Sequence, residues 1–482
     1  MKRITTLVLA MLLLLSACST ADKPEETAPD ETAGIETEVS ETEERNDGRR
    51  IAPDTVPELD FEGADVTILC RSEHSYEFVA EELMAEGVND AIFNRNLYTE
   101  DRLNVSLSVL DMPGNWGEHT AYVTNIVNSV AANDGTYDMI TCMAYAGPLL
   151  IVRGVATDLK TIEYLNLEQP WWHADFEKAA TINEKLYMHT GDIALTVISD
   201  RYAIFFNEDL LEQYLPGVNL YEVVLDGSWT TDYAAKMLEG VYTDLNFDGN
   251  RGPEDFYAFN IMFGQDPWYI GAGGTVMGRD EDGNPVFDMY NEHNINIIEQ
   301  YLSFSNSEKC YFRNDAEDMF RKKRAILDVG TFAYSESLRD FEDACGVLPF
   351  PKWDEAQKDY YSAIGDGYSP VMIPIDCKDM DRTGAVMEVM AAESYRSVAP
   401  AYFEITLKKK YFRDEESAQM FDIIQAGAKY DFGMVYTSVI GDPVFIVRNS
   451  MTGGDFASRY NANIGKQEAY LKNFMKKIDA VE

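Results

Sequence analysis

The stretch spanning residues 185–211 constrains the fold of this chain more than any other. It contains an extended apolar segment, a break at Gly191-Asp192 and a second apolar run over residues 203–206, which leads into a short helix opened by Asn207. A single sheet needs no such break, whereas a chain leaving one lobe for another does, because glycine turns at low steric cost. A crossing here would place Asp200 at the mouth of a cleft. The pattern predicts a hinged protein with two lobes.

The first residues have the pattern of an export signal. Lys2 and Arg3 precede an apolar core over residues 7–15, which is too short to span a bilayer as a permanent helix. The ending Leu-Ser-Ala-Cys resembles the lipobox of bacterial lipoproteins. That resemblance implies a signal peptide over residues 1–17, cleavage before Cys18, and a lipid anchor on Cys18 at the outer face of the cell membrane. The alternative is an ordinary signal peptide with a chance cysteine.

Composition separates a linker from the folded part and excludes some partners. Residues 18–58 are rich in Glu, Thr, Ala, Pro and Asp and have little to bury, which is typical of a disordered acidic linker. The rest is too long for one core and suits two lobes. The net charge of -43, from 83 acidic and 40 basic residues, disfavours nucleic acid and anionic membrane surfaces as partners.

Cysteine usage predicts buried thiols. Five cysteines follow Cys18, an odd number without a CxxC pair, and two of them end apolar, strand-like runs. Such positions favour free buried thiols over a disulfide or metal framework. The five are Cys70, Cys142, Cys310, Cys345 and Cys377.

The folded part opens with a strand-helix-strand-helix-strand rhythm. Strands are predicted over residues 65–70, 105–110 and 137–143, with a helix carrying Tyr122, Ile126 and Val130 on one face before the third strand. This rhythm predicts an α/β lobe with a largely parallel sheet. Polar residues just past the carboxyl ends of such strands are placed to reach a ligand. The first-lobe candidates are Arg71, Glu73 and Tyr145.

A family resemblance rests on three segments taken in order. They read DGTYDMITCMAYAGPLLIVRGVATDL, EKLYMHTGDIA and AIFFNEDLLEQY. The chain resembles the family 1 extracellular solute-binding proteins, the sugar-binding lipoproteins of ABC importers, in the class of the maltose-binding protein. The resemblance implies a type II periplasmic-binding-protein-like fold, a monomer that traps a carbohydrate between its lobes, ABC permease subunits as partners, and no catalysis. Lobe 1 would comprise residues 59–191 and 369–431, and lobe 2 residues 192–368 and 432–482.

An acidic loop in the second lobe predicts a calcium site. Oxygen-bearing side chains alternate at positions 1, 3 and 5, and Gly249 at position 6 permits a sharp turn. This is the pattern of an EF-hand-type loop, except that aspartate replaces the usual closing glutamate and Pro253 lies within the loop. The alternative is an acidic Asx turn without a metal. The predicted ligands of a structural Ca²⁺ are Asp244, Asn246, Asp248, Asn250 through its carbonyl, and Asp255.

Further ligand-binding candidates follow along the second lobe. Trp268 and Tyr269 precede a glycine-rich turn, and the resemblance implies that an aromatic ring here stacks on a sugar; two core aromatics are the alternative. Tyr334 follows a strand where the family places another aromatic side chain. Asp366 and Tyr368 lie in a glycine-flanked segment that suits the crossing back to the first lobe.

Two other functions remain open from the residues. A secreted glycosidase would need two carboxyl groups about 5 to 10 Å apart, and Asp200, Asp366 and Glu73 could supply them. A peptide or another polar solute could replace sugar as the ligand. No HExxH, P-loop or GxSxG motif is present, and no hydrolase motif surrounds these carboxylates. The sequence therefore predicts a binding protein rather than an enzyme.

Overall fold

A computed structural model of the protein describes residues 49–80, 83–84, 86–312, 318–338, 340–408 and 415–480. The predicted signal peptide, Cys18 and the greater part of the predicted linker lie outside the described residues. None of the helices in the described ranges is both long enough and apolar enough to cross a membrane.

Short strands separated by helices make up most of this chain. The strands are β1 Ala64–Arg71, β2 Val105–Met112, β3 Met139–Thr141, β4 Tyr202–Asn207, β5 Tyr242–Thr243, β6 Phe256–Asn260, β7 Met277–Arg279, β8 Pro285–Phe287, β9 Cys310–Tyr311, β10 Ala325–Thr331, β11 Cys345–Leu348 and β12 Val371–Met372.

Helices cover both sheets and fill the C-terminal part. They are α1 Gly87–Leu103, α2 His119–Ala132, α3 Gly147–Ile151, α4 Ala174–Ala180, α5 Thr196–Ser199, α6 Glu208–Tyr214, α7 Leu220–Leu225, α8 Thr231–Met237, α9 Gln265–Gly271, α10 Glu292–Ser305, α11 Met380–Glu393, α12 Ala399–Lys408, α13 Glu415–Ala426, α14 Phe432–Val435, α15 Pro443–Met451 and α16 Phe456–Asp479.

The first sheet has the order β12-β3-β1-β2. Strand β1 runs parallel to both neighbours, with Ile68 opposite Val109 on one side and Met139 on the other. The predicted parallel sheet is confirmed, and β12 adds an antiparallel edge. Helix α2 buries Tyr122, Ile126 and Val130, as their spacing predicted.

The second sheet has the order β11-β4-β10-β6-β5, and β9 pairs with β6. Its strand β4 is antiparallel to both β10 and β11, and residues 203–206 are completely or almost completely buried, as an apolar run predicts. The Asn207 side chain accepts a hydrogen bond from the Leu210 amide at 2.9 Å. This contact caps the first turn of α6 and confirms that Asn207 opens the helix.

Two segments run side by side between the sheets. Residues 189–201 pair antiparallel with residues 364–371, through bridges His189–Val371 and Arg201–Ile364. Gly191 is needed here for close approach, since a Cβ on it would lie 2.1 Å from the Trp171 carbonyl oxygen. Turning freedom is not the reason, because the φ of Gly191 is not positive.

The cysteines match their prediction. All five within the described ranges are free and buried. Burial raises the pKa of Cys142 to about 12, so its thiol stays protonated and packs as a small apolar side chain.

Candidate functional site

A buried polar cluster joins the end of β1 to both crossing segments; we call Arg71, Glu77, Thr196 and Ser369 the hinge network. The Arg71 guanidinium donates to the Ser369 Oγ at 2.9 Å and to the Gly367 carbonyl at 2.5 Å. The Glu77 carboxylate accepts from the Ser369 Oγ at 2.6 Å and from the Thr196 N–H and Oγ1, both at 2.7 Å. One side chain of the first lobe therefore ties down both crossings.

The contacts of Arg71, a predicted ligand residue, indicate a structural role in this network. Its side chain is 1 % exposed, and its donors are directed at Asn115, Gly367 and Ser369. Arg71 therefore supports the hinge and has almost no surface to offer a ligand. Burial raises the pKa of Glu77, although its hydrogen bonds and the charge of Arg71 oppose that shift.

Asp200 lies beside this network on the first crossing. Its backbone carbonyl accepts from the Gly365 N–H at 2.9 Å, and a Cβ on Gly367 would lie 2.9 Å from its Oδ2. The side chain remains partly exposed. Burial, and then the negative charge of Glu77, raise the pKa of Asp200 to about 7. Asp200 therefore stays a predicted ligand contact with part of its side chain exposed.

The second crossing carries an ion-pair group. Arg448 of α15 donates to the Asp366 Oδ2 at 2.8 Å, and its Nε donates to the Asp266 Oδ2 at 2.8 Å. Asp366 keeps 41 % of its side chain exposed, so it can still accept a ligand hydroxyl. The pKa of Arg448 is raised: burial acts in the opposite direction, but the two carboxylates outweigh it. The sequence did not indicate Arg448, because its partners Asp366 and Asp266 lie 82 and 182 positions away from it along the chain.

An aromatic group on the first lobe was also missed. Trp116, in the loop after β2, is 47 % exposed and lies with its ring centroid 4.9 Å from that of Tyr145. The His119 ring meets Tyr145 edge-on at 5.6 Å. The Tyr145 hydroxyl donates to Asp442 at 2.9 Å, so this predicted ligand residue also joins the region after β3 to the start of α15. The rule used for Arg71 and Glu73, side chains past a strand end, would have found Trp116.

Phe263 presents a second exposed ring, just past the end of β6. It is 61 % exposed and has a φ of 63°, a conformation that a bulky non-glycine residue rarely adopts. It stands three residues before Asp266, which belongs to the Arg448 group. Phe263 is therefore a second exposed ring close in sequence to the Arg448 group.

The tryptophan predicted to stack on a ligand lies in the core instead. Trp268 is 0 % exposed, and its ring stacks on Phe304 at 4.9 Å and meets Tyr301 edge-on at 5.8 Å. Tyr269 is 2 % exposed, and its hydroxyl donates to the Thr275 carbonyl at 2.7 Å. Helix α9 turns both rings away from solvent, so neither has a face free for a sugar. Trp268 and Tyr269 are therefore two core aromatics, as the alternative interpretation of the sequence had it.

The remaining predicted ligand residues comprise two tyrosines packed against other rings and one exposed glutamate. Tyr368 is 7 % exposed and packs against Phe176 and Tyr430, so its ring is a core side chain. The Tyr334 hydroxyl bonds Asp328, and its ring meets Phe205 edge-on at 5.4 Å. Glu73, by contrast, is exposed.

Local hydrogen bonds hold Glu73 in place. Its carboxylate accepts from the backbone N–H groups of Gly114 and Asn115 at 3.1 to 3.3 Å. Burial alone would raise its pKa, but these amides lower it, so Glu73 is a carboxylate at neutral pH. It therefore fixes the loop that carries Trp116.

The acidic loop folds as a set of turns. The Asp244 carboxylate accepts from the Phe247 N–H at 2.7 Å and the Gly249 N–H at 2.9 Å, with Gly249 at a φ of 75° as a sharp turn requires. Asp255 is buried and accepts from the Leu245 and Gly252 amides. Within the described ranges, no three carboxylate, imidazole or thiolate groups converge as a metal centre. The oxygen donors suit a hard cation, but an ion would have to draw them together.

Calcium binding by this loop therefore stays a prediction, with Asp244, Asn246, Asp248, Asn250 and Asp255 as its ligands. Extracellular sites bind at about 10⁻⁴ to 10⁻³ M, so calcium at ten times Kd should add about 1.4 kcal/mol to the free energy of unfolding. A thermal-shift titration measures this. Asp248→Ala should abolish the shift, whereas Asp282→Ala, in an exposed hairpin, should retain it. An equal shift in both variants would place calcium elsewhere.

Comparison with known proteins shows the fold. The chain has a TM-score of 0.54 and 14% identity to the GacH receptor of Streptomyces glaucescens, solved unliganded and with acarbose, over 86% of this chain and 99% of that one. It has a TM-score of 0.55 and 12% identity to the galacto-N-biose/lacto-N-biose I-binding protein of an ABC transporter from Bifidobacterium longum, over 86% and 98%. It has a TM-score of 0.55 and 13% identity to UgpB of Mycobacterium tuberculosis in complex with glycerophosphocholine, over 85% and 98%.

These likenesses confirm the predicted fold class. The chain has the two-lobed α/β fold of periplasmic sugar-binding proteins, with mixed sheets. No family profile and no curated protein sequence matches it.

Proposed function

We propose that this protein is an extracytoplasmic binding protein that captures a sugar or oligosaccharide between its lobes and delivers it to an ABC importer. The observation that carries the proposal is that Trp116 exposes its ring beside Tyr145 while two carboxylates of the crossing segments, Asp200 and Asp366, remain partly exposed. Among the structures of the same fold, the GacH receptor was solved with acarbose and the Bifidobacterium longum protein with lacto-N-biose, which supports the proposal.

The recognition would follow from ordinary carbohydrate chemistry. The C–H face of a sugar ring packs on an aromatic face such as that of Trp116 or Phe263, and carboxylates accept its hydroxyl hydrogens. Tyr145 would hold the ligand from the first lobe, and Asp200 and Asp366 from the crossings. Lobe closure excludes water and strengthens these contacts.

A glycosidase is less well supported by the same residues. Such an enzyme needs two carboxyl groups free to act as acid and base. Asp366 is held by Arg448 at 2.8 Å, and Glu73 by the amides of Gly114 and Asn115. Asp200 then lacks a free carboxyl partner among the candidates named from the sequence. The glycerophosphocholine complex of a protein with this fold keeps another polar solute as the second candidate ligand.

The cellular setting belongs to the proposal too. The lipobox-like sequence supports a diacylated Cys18 that anchors a monomer to the outer face of the cell membrane, with ABC permease subunits as partners. The proposed lobes comprise residues 59–191 and 369–431, and residues 192–368 and 432–482.

A thermal-shift screen against a sugar library tests the proposal. A ligand that binds only the folded state raises the melting temperature, and at one hundred times Kd it adds about 2.7 kcal/mol to the free energy of unfolding. We expect at least one mono- or oligosaccharide to produce such a shift, and calorimetry to confirm it without product formation. Cleavage of the hit, seen by chromatography, would favour the glycosidase.

Trp116→Ala is expected to weaken binding of that sugar about thirtyfold, since removal of a central aromatic anchor costs about 2 kcal/mol. Because the indole is 47 % exposed, the melting temperature of the free protein should hardly change. Calorimetry measures the affinity. Phe247→Ala removes a ring that is 89 % exposed on the acidic loop and is the matched control, with affinity within about twofold of the parent. Equal affinities in the two variants would remove Trp116 from the site.

A further inference from the structure

The Asp200 carboxylate has no cationic partner in direct contact. Within the described part of the chain, the hydrogen bond that its side chain receives comes from the Ser199 hydroxyl at 3.4 Å. Asp200 takes part in none of the ion pairs found there. Its Oδ2 lies so close to the Gly367 backbone that a Cβ there would be 2.9 Å away, and the side chain remains partly exposed. A partly exposed carboxyl group without an ion-pair partner among the described residues is thus present at the hinge.

The two arginines close to Asp200 are committed elsewhere. The Arg71 guanidinium is 1 % exposed and donates to neutral acceptors of the loop and hinge. Arg448 bridges Asp266 and Asp366. His74 faces the same region, and burial lowers its pKa to about 4, so it is neutral at physiological pH. The charge of Arg71 lowers the pKa of Asp200 from a distance, but none of these three groups donates a hydrogen bond to its carboxylate.

Other acidic groups make this region more negative. The charges of Glu77, Glu336 and Asp200 all act on the hydroxyl of Tyr76, and Asp200 acts on Tyr202 together with Asp266 and Asp366. Burial, and then the charge of Glu77, raise the pKa of Asp200 to about 7 against the opposing charge of Arg71, so the negative charge of this carboxylate is incompletely compensated in the free protein. A positive ligand group would remove that deficit.

Aromatic faces of the same region suit a cation as well. Tyr76 is 46 % exposed and Trp116 47 %. An ammonium group within about 6 Å of such a ring is attracted to its face. A neutral sugar would use the rings alone, whereas an amine-bearing sugar would use the rings and the open carboxylate together.

We infer that the ligand is a saccharide that bears a basic amine, and that Asp200 is its counter-ion. This inference rests on the proposed function, since it specifies the class of sugar held in the same cleft. It predicts that glucosamine binds more tightly than glucose. Shape and hydroxyl contacts would not produce this preference, because the two units differ at one substituent. Replacing the amine by an acetamide removes the charge and keeps the nitrogen.

The test compares three β-1,4-linked trimers by calorimetry: glucosamine, N-acetylglucosamine and glucose, with the three monosaccharides as smaller probes. At a pH below the pKa of the amine but not below 7, where Asp200 is at least half ionised, we expect the glucosamine series to bind at least tenfold more tightly than both neutral series. Raising the salt concentration should weaken that preference. Asp200→Asn, which keeps the shape and removes the charge, should lower the affinity of the amine at least tenfold and that of neutral sugars less than threefold. Asp282→Asn, on an exposed hairpin, should change neither.

The outcomes separate the inference from the function. A neutral sugar that binds as tightly as its amine counterpart would overturn the inference and leave the proposed function standing. If Asp200→Asn loses equal affinity for amine-bearing and neutral sugars, the inference is also overturned and the proposed function stands. Asp200 would then be an acceptor of hydroxyl groups. If neither these probes nor any member of the sugar library shifts the melting temperature, both the inference and the proposed function fail.

Discussion

Trp268→Ala is expected to lower the free energy of unfolding by about 3 to 5 kcal/mol, the usual cost of removing a large aromatic side chain from a core. The indole is 0 % exposed and packs between Phe304 and Tyr301 of α10. Its removal would leave a cavity between α9 and α10 that the helices can close only in part. Urea denaturation followed by circular dichroism measures the change.

Trp268→Phe is the matched control for this prediction. The indole nitrogen has no hydrogen-bond partner among the described residues, so phenylalanine loses no polar contact and should cost less than about 1.5 kcal/mol. Sugar affinity should remain within about twofold of the parent in this folded variant. Full stability in Trp268→Ala together with a loss of sugar affinity would contradict the structure and return Trp268 to the binding site.

Glu77→Ala should be the second most damaging substitution, with an expected loss of about 3 to 5 kcal/mol. Its carboxylate receives three hydrogen bonds of 2.6 to 2.7 Å from Thr196 and Ser369. Each buried donor left without an acceptor costs about 1 to 3 kcal/mol, and the buried charge of Arg71 would lose a neighbouring carboxylate. Glu468→Ala, on the exposed face of α16, should stay within about 0.5 kcal/mol of the parent.

The position of Glu77 adds a second consequence for this variant. Thr196 and Ser369 belong to the two crossing segments, so both lose their hydrogen bond to Glu77 at once, and Arg71 alone still donates to Ser369. We expect small-angle scattering of the ligand-free variant to show a larger radius of gyration than the parent under conditions in which both are folded. An unchanged radius with the predicted loss of stability would limit the hinge network to a packing role.

Together these predictions separate groups that hold the fold from groups that hold the ligand. Arg71 and Glu77 lie at the same strand end as Glu73, but burial commits them to the hinge. Trp116, Asp200 and Asp366 retain exposed surface beside that hinge. The protein can therefore tolerate changes in its ligand contacts without loss of stability, and binding and folding can be measured apart.

The sequence by itself determined the local elements and the plan of the fold. Apolar runs and caps placed β1, β2, β4 and α2, and Asn207 marked the start of α6, because these features depend on residues a few positions apart. The break at Gly191 marked a crossing, although close contact with Trp171 explains the glycine. Asp200 was predicted from the same break.

Only the tertiary structure decided which of the candidate side chains are exposed and which are buried. Trp116 and Trp268 both lie close to glycine-containing turns, and no local pattern shows that α10 covers Trp268 while the loop after β2 exposes Trp116. Arg448 reaches Asp266 across 182 positions of sequence. The spacing of apolar residues indicates which face of a helix or strand is apolar. Whether that face is buried depends on the distant element that packs against it, and therefore on the whole fold.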